Sequence, residues 1–452
     1  MSIPDGRIHL VGAGGAGMSA IAKVLVAQGH EISGSDLRGG AALEALSDLD
    51  IAVFTGHNPD VVPGAALVVA SSAVPDYDEE LNAARKAGIP VWRRPRLLEA
   101  LTADLPTMAA TGTHGKTTTT AMLVTALREM GEDPSFVVGG ELLDLHTNGH
   151  LGESDLLVLE ADEAFRTFET LHLDSLVITN VEYEHVDHFE SAEDIVDSFA
   201  EVAGKVRGPV VACADDDGSL EVSRRADTLT YGFDPAADWR IESVVSGTRG
   251  VSFELHNGGK RARVGLPQPG RHLAQNAAGA LALLAETGRD LEAAAAGISS
   301  FRGVGRRWEH RGTVGGVVLF DDYAHHPTEV AAIIDAARAT AEGRIWAVFQ
   351  PHLYSRTERF SVEFGRALAN ADVAVVTDVF GAREEPVPGV TGELVAMAAR
   401  DAGGNVHYVP HRYDLAGYIA PRVEPGDLVV SMGAGDITLL HTELAPILGA
   451  RT

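Results

Sequence analysis

The sequence predicts an α/β fold of several domains, on three observations. Short apolar runs rich in β-branched residues alternate with Ala-rich amphipathic stretches, the pattern of parallel sheets covered by helices. At roughly 100–200 residues per domain, a chain of 452 residues exceeds what one core organises. Distinctive loops stand at three strand-to-helix junctions, at 12–17, 112–118 and 321–329, and each is expected to open a domain. The expected division is 1–104, 105–308 and 309–452, with the second boundary falling in the charged, glycine-containing stretch 306–316.

Composition narrows the function. Apolar residues make up 45% and charged residues 22%, which suits a globular chain and excludes a disordered one. Against 36 Lys+Arg stand 64 Asp+Glu, a net charge of −28. Such a chain does not draw affinity from neutralising nucleic-acid phosphates or anionic lipid, so no nucleic-acid partner is expected and any anionic ligand must be held by local groups. The one cysteine, Cys213, ends the apolar run Val210-Val211-Ala212 and reads as a small core residue, which excludes an internal disulfide and suits a reducing cytoplasm. With no signal-peptide pattern and no span of 18 apolar residues, a cytoplasmic protein without membrane insertion is expected, as monomer or homodimer.

The first strand, 7–11, runs into Gly12-Ala13-Gly14-Gly15-Ala16-Gly17, with a helix expected over 18–28. This is G-x-G-x-x-G between a strand and a helix, where glycines permit a tight turn and the helix start can hold a pyrophosphate. Asp36 closes the next strand, where an acidic residue meets a ribose in nicotinamide enzymes. Alone, the loop suggests a dehydrogenase, yet the same backbone serves any diphosphate, including that of a UDP-sugar.

The second loop carries more chemistry. A strand at 107–111 leads into Gly112-Thr113-His114-Gly115-Lys116-Thr117-Thr118 and a helix expected over 119–130. Lys116 is placed to reach the β- and γ-phosphates and Thr117 to ligate Mg²⁺, while successive amides cradle oxygens. Strict Walker spacing is not met, because its first glycine falls at Ala110. Two further strand ends follow, at Glu160-Ala161-Asp162-Glu163 and at Asn180 to His185. Strand C-termini line the ligand crevice of parallel sheets, so Glu160 and His185 are candidate metal ligands beside the nucleotide. The competing readings are a solvated acidic loop and a hydrogen-bonded structural histidine.

Residues 240–264 alternate like a small antiparallel sheet attached to the main one, and the Ala-rich 291–296 reads as helix. The third junction, Asp321-Asp322-Tyr323-Ala324-His325-His326-Pro327-Thr328-Glu329, precedes a helix expected from Val330. After the next strand, 345–349, come His352 and Arg356, the latter a candidate to neutralise a carboxylate or phosphate. Helix capping by Thr328 or Asp322 accounts for part of this density.

Taken together, HLVGAGGAGMSAIAKVLVAQGHEISGSD (9–36), Ser71-Ser72-Ala73, TGTHGKTTTT (111–120), Glu160 to Glu163, Asn180 to Asp187, DDYAHHPTE (321–329), 349–357, 385–390 and 432–437 resemble the Mur ligases over nearly the whole chain. The resemblance implies a Rossmann-like N-terminal domain for a UDP-sugar, a central P-loop-type ATPase domain and a Rossmann-like C-terminal domain that closes on ATP and the amino acid. It implies ATP and Mg²⁺ as cofactors and an amide bond formed between L-alanine and UDP-N-acetylmuramate through an acyl phosphate. Carried over by position, Gly14, Gly15, Gly17, Ser35, Asp36, Ser71 and Ser72 meet the sugar nucleotide. Gly112, Thr113, His114, Gly115, Lys116, Thr117, Thr118, Asn276 and Asp322 meet ATP, and Thr117, Glu160 and His185 serve magnesium. Lys116, His325, His352 and Arg356 are the expected catalytic groups.

The sequence departs from the family pattern in three places. Ala164-Phe165-Arg166 stands where Ser-Asp is common, Leu353 stands where many members carry arginine, and 193–199 holds no counterpart of the lysine that other members carbamylate. Two further readings compete: a nicotinamide oxidoreductase, which explains only the first loop, and a P-loop switch without ligase activity. A sibling ligase that recycles a peptide onto the same sugar nucleotide is a closer alternative, and the segment GAGGAGMS (12–19) is unlike it.

Overall fold

Continuous apolar runs such as Leu67–Ala70 and Val373–Val376 are buried at every residue, as strands covered on both faces must be. The computed structural model describes residues 3–183, 189–382 and 384–450, and they form three sheets. Two compact units result. The first runs to Val244 and adds Ser252–Leu266 and Ala274–Arg302, whereas the second comprises Val245–Val251, Pro267–Leu273 and the chain from Gly303.

In the first unit, β1 (Ile8–Val11), β2 (Ile32–Asp36), β3 (Ala52–Thr55), β4 (Leu67–Ala70) and β5 (Val91–Arg93) make a parallel sheet of order β3-β2-β1-β4-β5. The second sheet contains β6 (Thr107–Thr111), β7 (Ser135–Leu142), β8 (Thr147–His150), β9 (Leu157–Glu160), β10 (Ser175–Ile178), β11 (Val210–Cys213), β12 (Leu229–Gly232), β13 (Trp239–Gly247), β14 (Gly250–Asn257) and β15 (Lys260–Leu266). Its order, β15-β14-β13-β12-β11-β10-β6-β9-β7-β8, puts the phosphate-loop strand β6 between β10 and β9, parallel to both. The segment read as a small attached sheet is a continuation of this one. Its strands are joined by two-residue links, which only antiparallel neighbours allow.

The first two sheets were expected in separate domains, yet they share one apolar cluster. Ile21 and Leu25 of the helix Ala16–Ala27 lie in it with Ile8 and Leu10 of β1 and with Val137, Leu157 and Leu159 of the second sheet. Buried residues lie on more than one side of this helix, so it covers β1 and also meets β7 and β8. Gly149 permits the contact, since a Cβ there would stand 2.2 Å from the Ala20 carbonyl oxygen. Asn148 Nδ2 also donates to the Ala16 carbonyl at 2.8 Å.

The second unit contains β16 (Glu309–Val314), β17 (Val317–Asp322), β18 (Ile345–Phe349), β19 (Val373–Val376), β20 (Val406–Tyr408) and β21 (Leu428–Met432), ordered β16-β17-β21-β18-β19-β20. All pairs are parallel except β16–β17. Each face of the sheet buries its own apolar cluster, one around Ile334, Phe349 and Phe364 and the other around Leu319, Val348 and Leu444.

Several boundaries need correction. The stretch 306–316, in which the sequence shows no strand, contains β16, an edge strand too polar to show an apolar alternation, with a register shift between His310 and Gly312. Helices begin earlier than expected, at Ala16, Lys116 and Pro327. The first two follow Gly15 and Gly115, which give no side-chain capping signal. The third is capped by His326 in a capping box with Glu329, not by Thr328 or Asp322. Cys213 is buried, as read, and burial pushes its thiol up to about 12, which leaves it unreactive. No helix among the described residues is long and apolar enough to cross a membrane.

Candidate active site

At the C-terminal edge of the first sheet, β1 enters the glycine loop and β2, β3 and β4 end beside it. Gly12 and Ala13 donate to the Ser35 carbonyl at 2.8 and 2.9 Å, and Gly14 N–H donates to Asp36 Oδ2 at 3.0 Å. Asp36 is thereby tied to the loop itself. The first turn of the helix leaves the N–H groups of Ala16, Gly17 and Met18 without intrahelical acceptors. Ser71 N–H donates to the Val11 carbonyl at 2.9 Å, bringing the β4 loop alongside, and Ser72 Oγ is buried with no hydrogen-bond partner among the described residues. Ser35 differs from expectation: its hydroxyl points inward to the fully buried Glu80 carboxylate, 2.5 Å away, so only its backbone faces the loop.

The second loop is held by side chains. A Cβ on Gly112 (φ +130) would stand 2.1 Å from Thr179 Oγ1, so no other residue fits. Asn180 braces the turn, accepting from His114 N–H at 2.8 Å and donating from Nδ2 to the His114 carbonyl at 3.0 Å. Lys116 Nζ donates to the Gly112 and Thr113 carbonyls at 2.6 and 3.1 Å and meets both oxygens of Glu163 at 3.0 and 2.9 Å. Burial alone would lower the Lys116 pKa, but the carboxylates of Glu163, Asp162 and Glu160 more than offset it and hold the ammonium charged. Thr117 Oγ1 donates to Glu160 Oε1 at 3.0 Å, and Gly139 N–H donates to Glu160 Oε2 at 2.6 Å. Burial, reinforced by Asp162 and opposed by Lys116, raises the Glu160 pKa. Asn276 on the helix Arg271–Glu286 lies against the loop, its Oδ1 2.7 Å from the position of a Gly115 Cβ. His185 lies outside the described residues.

Within the second unit, the third constellation gathers where β17 and β18 end. His325 Nδ1 bonds the Tyr323 carbonyl at 2.9 Å; a carbonyl only accepts, so this nitrogen carries the proton and Nε2 is the basic one. The His325 and His352 rings stand 6.1 Å apart, and Arg356 Nη1 lies 3.4 Å from His352 Nδ1. His352 stacks on Phe380 at 5.9 Å, while Arg306 and Arg307 lie over Tyr323 at 4.9 and 5.0 Å. The Asp322 carboxylate accepts the amides of Trp308 and Ala324, both at 2.7 Å. Burial raises its pKa to about 7 against the pull of Arg307. This carboxylate therefore organises the junction.

Sequence reading missed Glu163, Arg94 and Asn180 as site residues. Arg94 Nη2 pairs with Asp162 Oδ2 at 3.0 Å while its Nη1 lies 2.9 Å from the position of a Gly17 Cβ, so one guanidinium touches both the first loop and the acidic strand end. Asn180 carried a signal, its place at a strand C-terminus. Arg94 carried none, because the approach of the two sheets creates its partner.

A lysine-bearing glycine loop before a helix, carboxylates at the adjoining strand end and a separate glycine loop are the features of a nucleotide-dependent enzyme. Family profiles agree: the Mur ligase family catalytic domain matches 7–105, the Mur ligase middle domain 110–284 and the Mur ligase glutamate ligase domain 306–435. The chain belongs to the Mur ligase family. It is 42% identical to the UDP-N-acetylmuramate–L-alanine ligase of Mycobacteroides abscessus over 98% of this chain and 96% of that protein. To the ligase of the same name from Mycolicibacterium vanbaalenii it is 43% identical, over 98% and 97%. The crystal structure of the UDP-N-acetylmuramate-alanine ligase of Thermotoga maritima superposes with a TM-score of 0.86 at 28% identity, covering 99% of this chain and all of that one. A murein peptide ligase from Psychrobacter arcticus, at TM-score 0.73 and 24% identity over 98% of each chain, shares the fold.

Proposed function

We infer that this chain is an ATP-dependent UDP-N-acetylmuramate:L-alanine ligase of peptidoglycan synthesis, releasing ADP and phosphate as the amide forms. The observation that carries the reading is the second loop, where Lys116 and Thr117 are each engaged by a carboxylate, in a chain similar end to end to ligases of that name. Domain limits of 1–104, 105–308 and 309–452 accompany it.

The first loop suits the diphosphate of the sugar nucleotide, which needs backbone donors more than side-chain charge. The second suits ATP. A carboxylate and a hydroxyl 3.0 Å apart, Glu160 and Thr117, are the oxygen donors a hard cation prefers, and the raised Glu160 pKa is what a nearby dication would relieve. Magnesium bound there would neutralise charge on the β- and γ-phosphate oxygens.

An unactivated carboxylate is a poor electrophile, so the lactyl carboxylate oxygen attacks the γ-phosphorus, the β–γ bridging bond breaks and ADP leaves. The alanine amine then attacks the acyl carbon and inorganic phosphate departs. Lys116, kept protonated by its acids, stabilises charge as the phosphoryl group moves. His325, with Nε2 basic, takes the amine proton, with His352 nearby as the alternative. Arg356 holds the alanine carboxylate or the phosphoryl oxygens. Oxygen-18 in the muramyl carboxylate should appear in the released phosphate; label kept wholly in the amide and unreacted substrate would overturn the acyl phosphate. Phosphate release across a panel of amino acids and a tripeptide separates this reading from the peptide-recycling one, with L-alanine expected to give the fastest turnover.

A further inference from the structure

The departure at Ala164-Phe165-Arg166 folds into an unusual turn. Phe165 (φ 56, ψ 22) and Arg166 (φ 52, ψ 29) are both left-handed, in succession, and neither is glycine, asparagine or aspartate. Side chains of this size seldom adopt that conformation, and it persists only where surroundings over-determine it. Here the surroundings act through the Arg166 guanidinium. One of its nitrogens reaches both oxygens of Asp194, at 2.7 and 2.8 Å, and another reaches Glu169 Oε1 at 2.9 Å. The guanidinium also lies over the Phe189 ring, 4.7 Å from its centroid.

These acids are themselves held. Asp194 accepts the Glu190 amide at 3.0 Å and sits in the first turn of the helix Ala192–Lys205, and Ser198 Oγ donates to Glu169 at 2.7 Å. Isolated surface ion pairs position little, but an Arg fork shared between two braced carboxylates and an aromatic face does. The turn in turn orients the acids before it. Arg166 N–H donates to the Glu163 carbonyl at 2.9 Å, Ala164 N–H to Asp162 Oδ1 at 3.2 Å, and Phe168 N–H to the Asp162 carbonyl at 3.1 Å. Glu163, fully buried, is the carboxylate that meets Lys116 Nζ.

We propose that Arg166 is a positioning residue for the phosphate loop: its clamp on Asp194 and Glu169 holds the left-handed turn that aims Glu163 at Lys116. This rests on the ATP-site reading given above. It replaces the short polar residues common at this place with a strained turn locked from outside.

Arg166→Ala and Arg166→Gly both remove the clamp, but glycine occupies φ near +50° without strain. Arg166→Ala is expected to lower kcat about tenfold or more, to raise KM for ATP, and to leave KM for the sugar nucleotide within about twofold. Arg166→Gly should recover most of that loss, and Asp194→Asn should resemble Arg166→Ala in milder form. Calorimetric titration with a non-hydrolysable ATP analogue should rank the variants in the same order. Equal impairment of the alanine and glycine variants would overturn the proposal, as would unchanged kinetics in Arg166→Ala accompanied only by a lower melting temperature. If Arg166→Ala does not fold, Asp194→Asn with and without Arg166→Gly gives the same comparison, and failure of glycine to improve on Asp194→Asn alone counts against the turn. Wild-type protein that releases no phosphate with both substrates would instead fault the ligase reading, while the analogue affinities would still test the clamp.

Discussion

Residues 12–17 and 112–115 each turn a parallel strand into a helix, yet the two loops are lined by different chemistry. The first carries no charged residue of its own: its amides turn to the Ser35 carbonyl and the Asp36 carboxylate, and Arg94, the cation beside Gly17, is shared with Asp162. In the second, Lys116 meets Glu163, Thr117 meets Glu160, Asn180 braces His114, and Asn276 closes against Gly115. A loop of backbone donors can hold an anion that is not itself transformed. A loop that must follow charge moving between phosphorus and oxygen needs side chains whose protonation is set beforehand. On the function proposed above, the first loop is the holding site and the second, with a lysine of its own paired to Glu163, the reacting one.

Breaking the reacting loop should have the largest effect. Lys116→Ala is expected to lower turnover about a thousandfold or more, while a calorimetric titration finds sugar-nucleotide affinity nearly unchanged; equal loss at both sites would erase the distinction between the loops. Next, Glu160→Gln should slow the reaction about ten- to a hundredfold and raise the magnesium concentration needed for half-maximal rate. Wild-type activity at low magnesium would make Glu160 an ordinary acid.

Two glycine substitutions sharpen the comparison through stability. Gly112→Ala meets Thr179 Oγ1 at 2.1 Å from a left-handed backbone, and should destabilise by about 3 kcal/mol. Gly15→Ala, whose Cβ would meet nothing nearer than 3.5 Å, should shift stability by under about 1 kcal/mol. Denaturant midpoints at constant slope would test both. The smallest effect is expected from Asp36→Asn, which keeps an acceptor for Gly14 N–H. It should change KM for the sugar nucleotide by no more than about fivefold with kcat preserved, and a large fall in kcat would place Asp36 in the chemistry.

Local pattern made much of this legible. Short uncharged runs, TMAAT and IWAVF, located β6 and β18 to the residue, because a strand buried on both faces has little room for charge. Loop composition located the tight turn at Gly112, since only glycine tolerates the approach of Thr179 there. β16 escaped because an edge strand has little to bury, and the late helix starts arose because Gly15 and Gly115 leave no capping side chain to read.

What the sequence determined by itself was the α/β class, the order of its loops and the place of Lys116 and Thr117 at the start of a helix behind a glycine turn, all consequences of residues a few positions apart. Only the tertiary structure decided that Glu163 meets Lys116, that Arg94 spans from Gly17 to Asp162, that Ser35 turns inward to Glu80, and that the first two sheets share a core. These contacts join residues from 45 to 68 positions apart in the side-chain pairs Ser35–Glu80, Lys116–Glu163 and Arg94–Asp162. Each partner alone is an ordinary polar residue. Their meaning arises when packing removes water from between them, and a low-dielectric interior turns a charge or hydroxyl into a group that must find its complement.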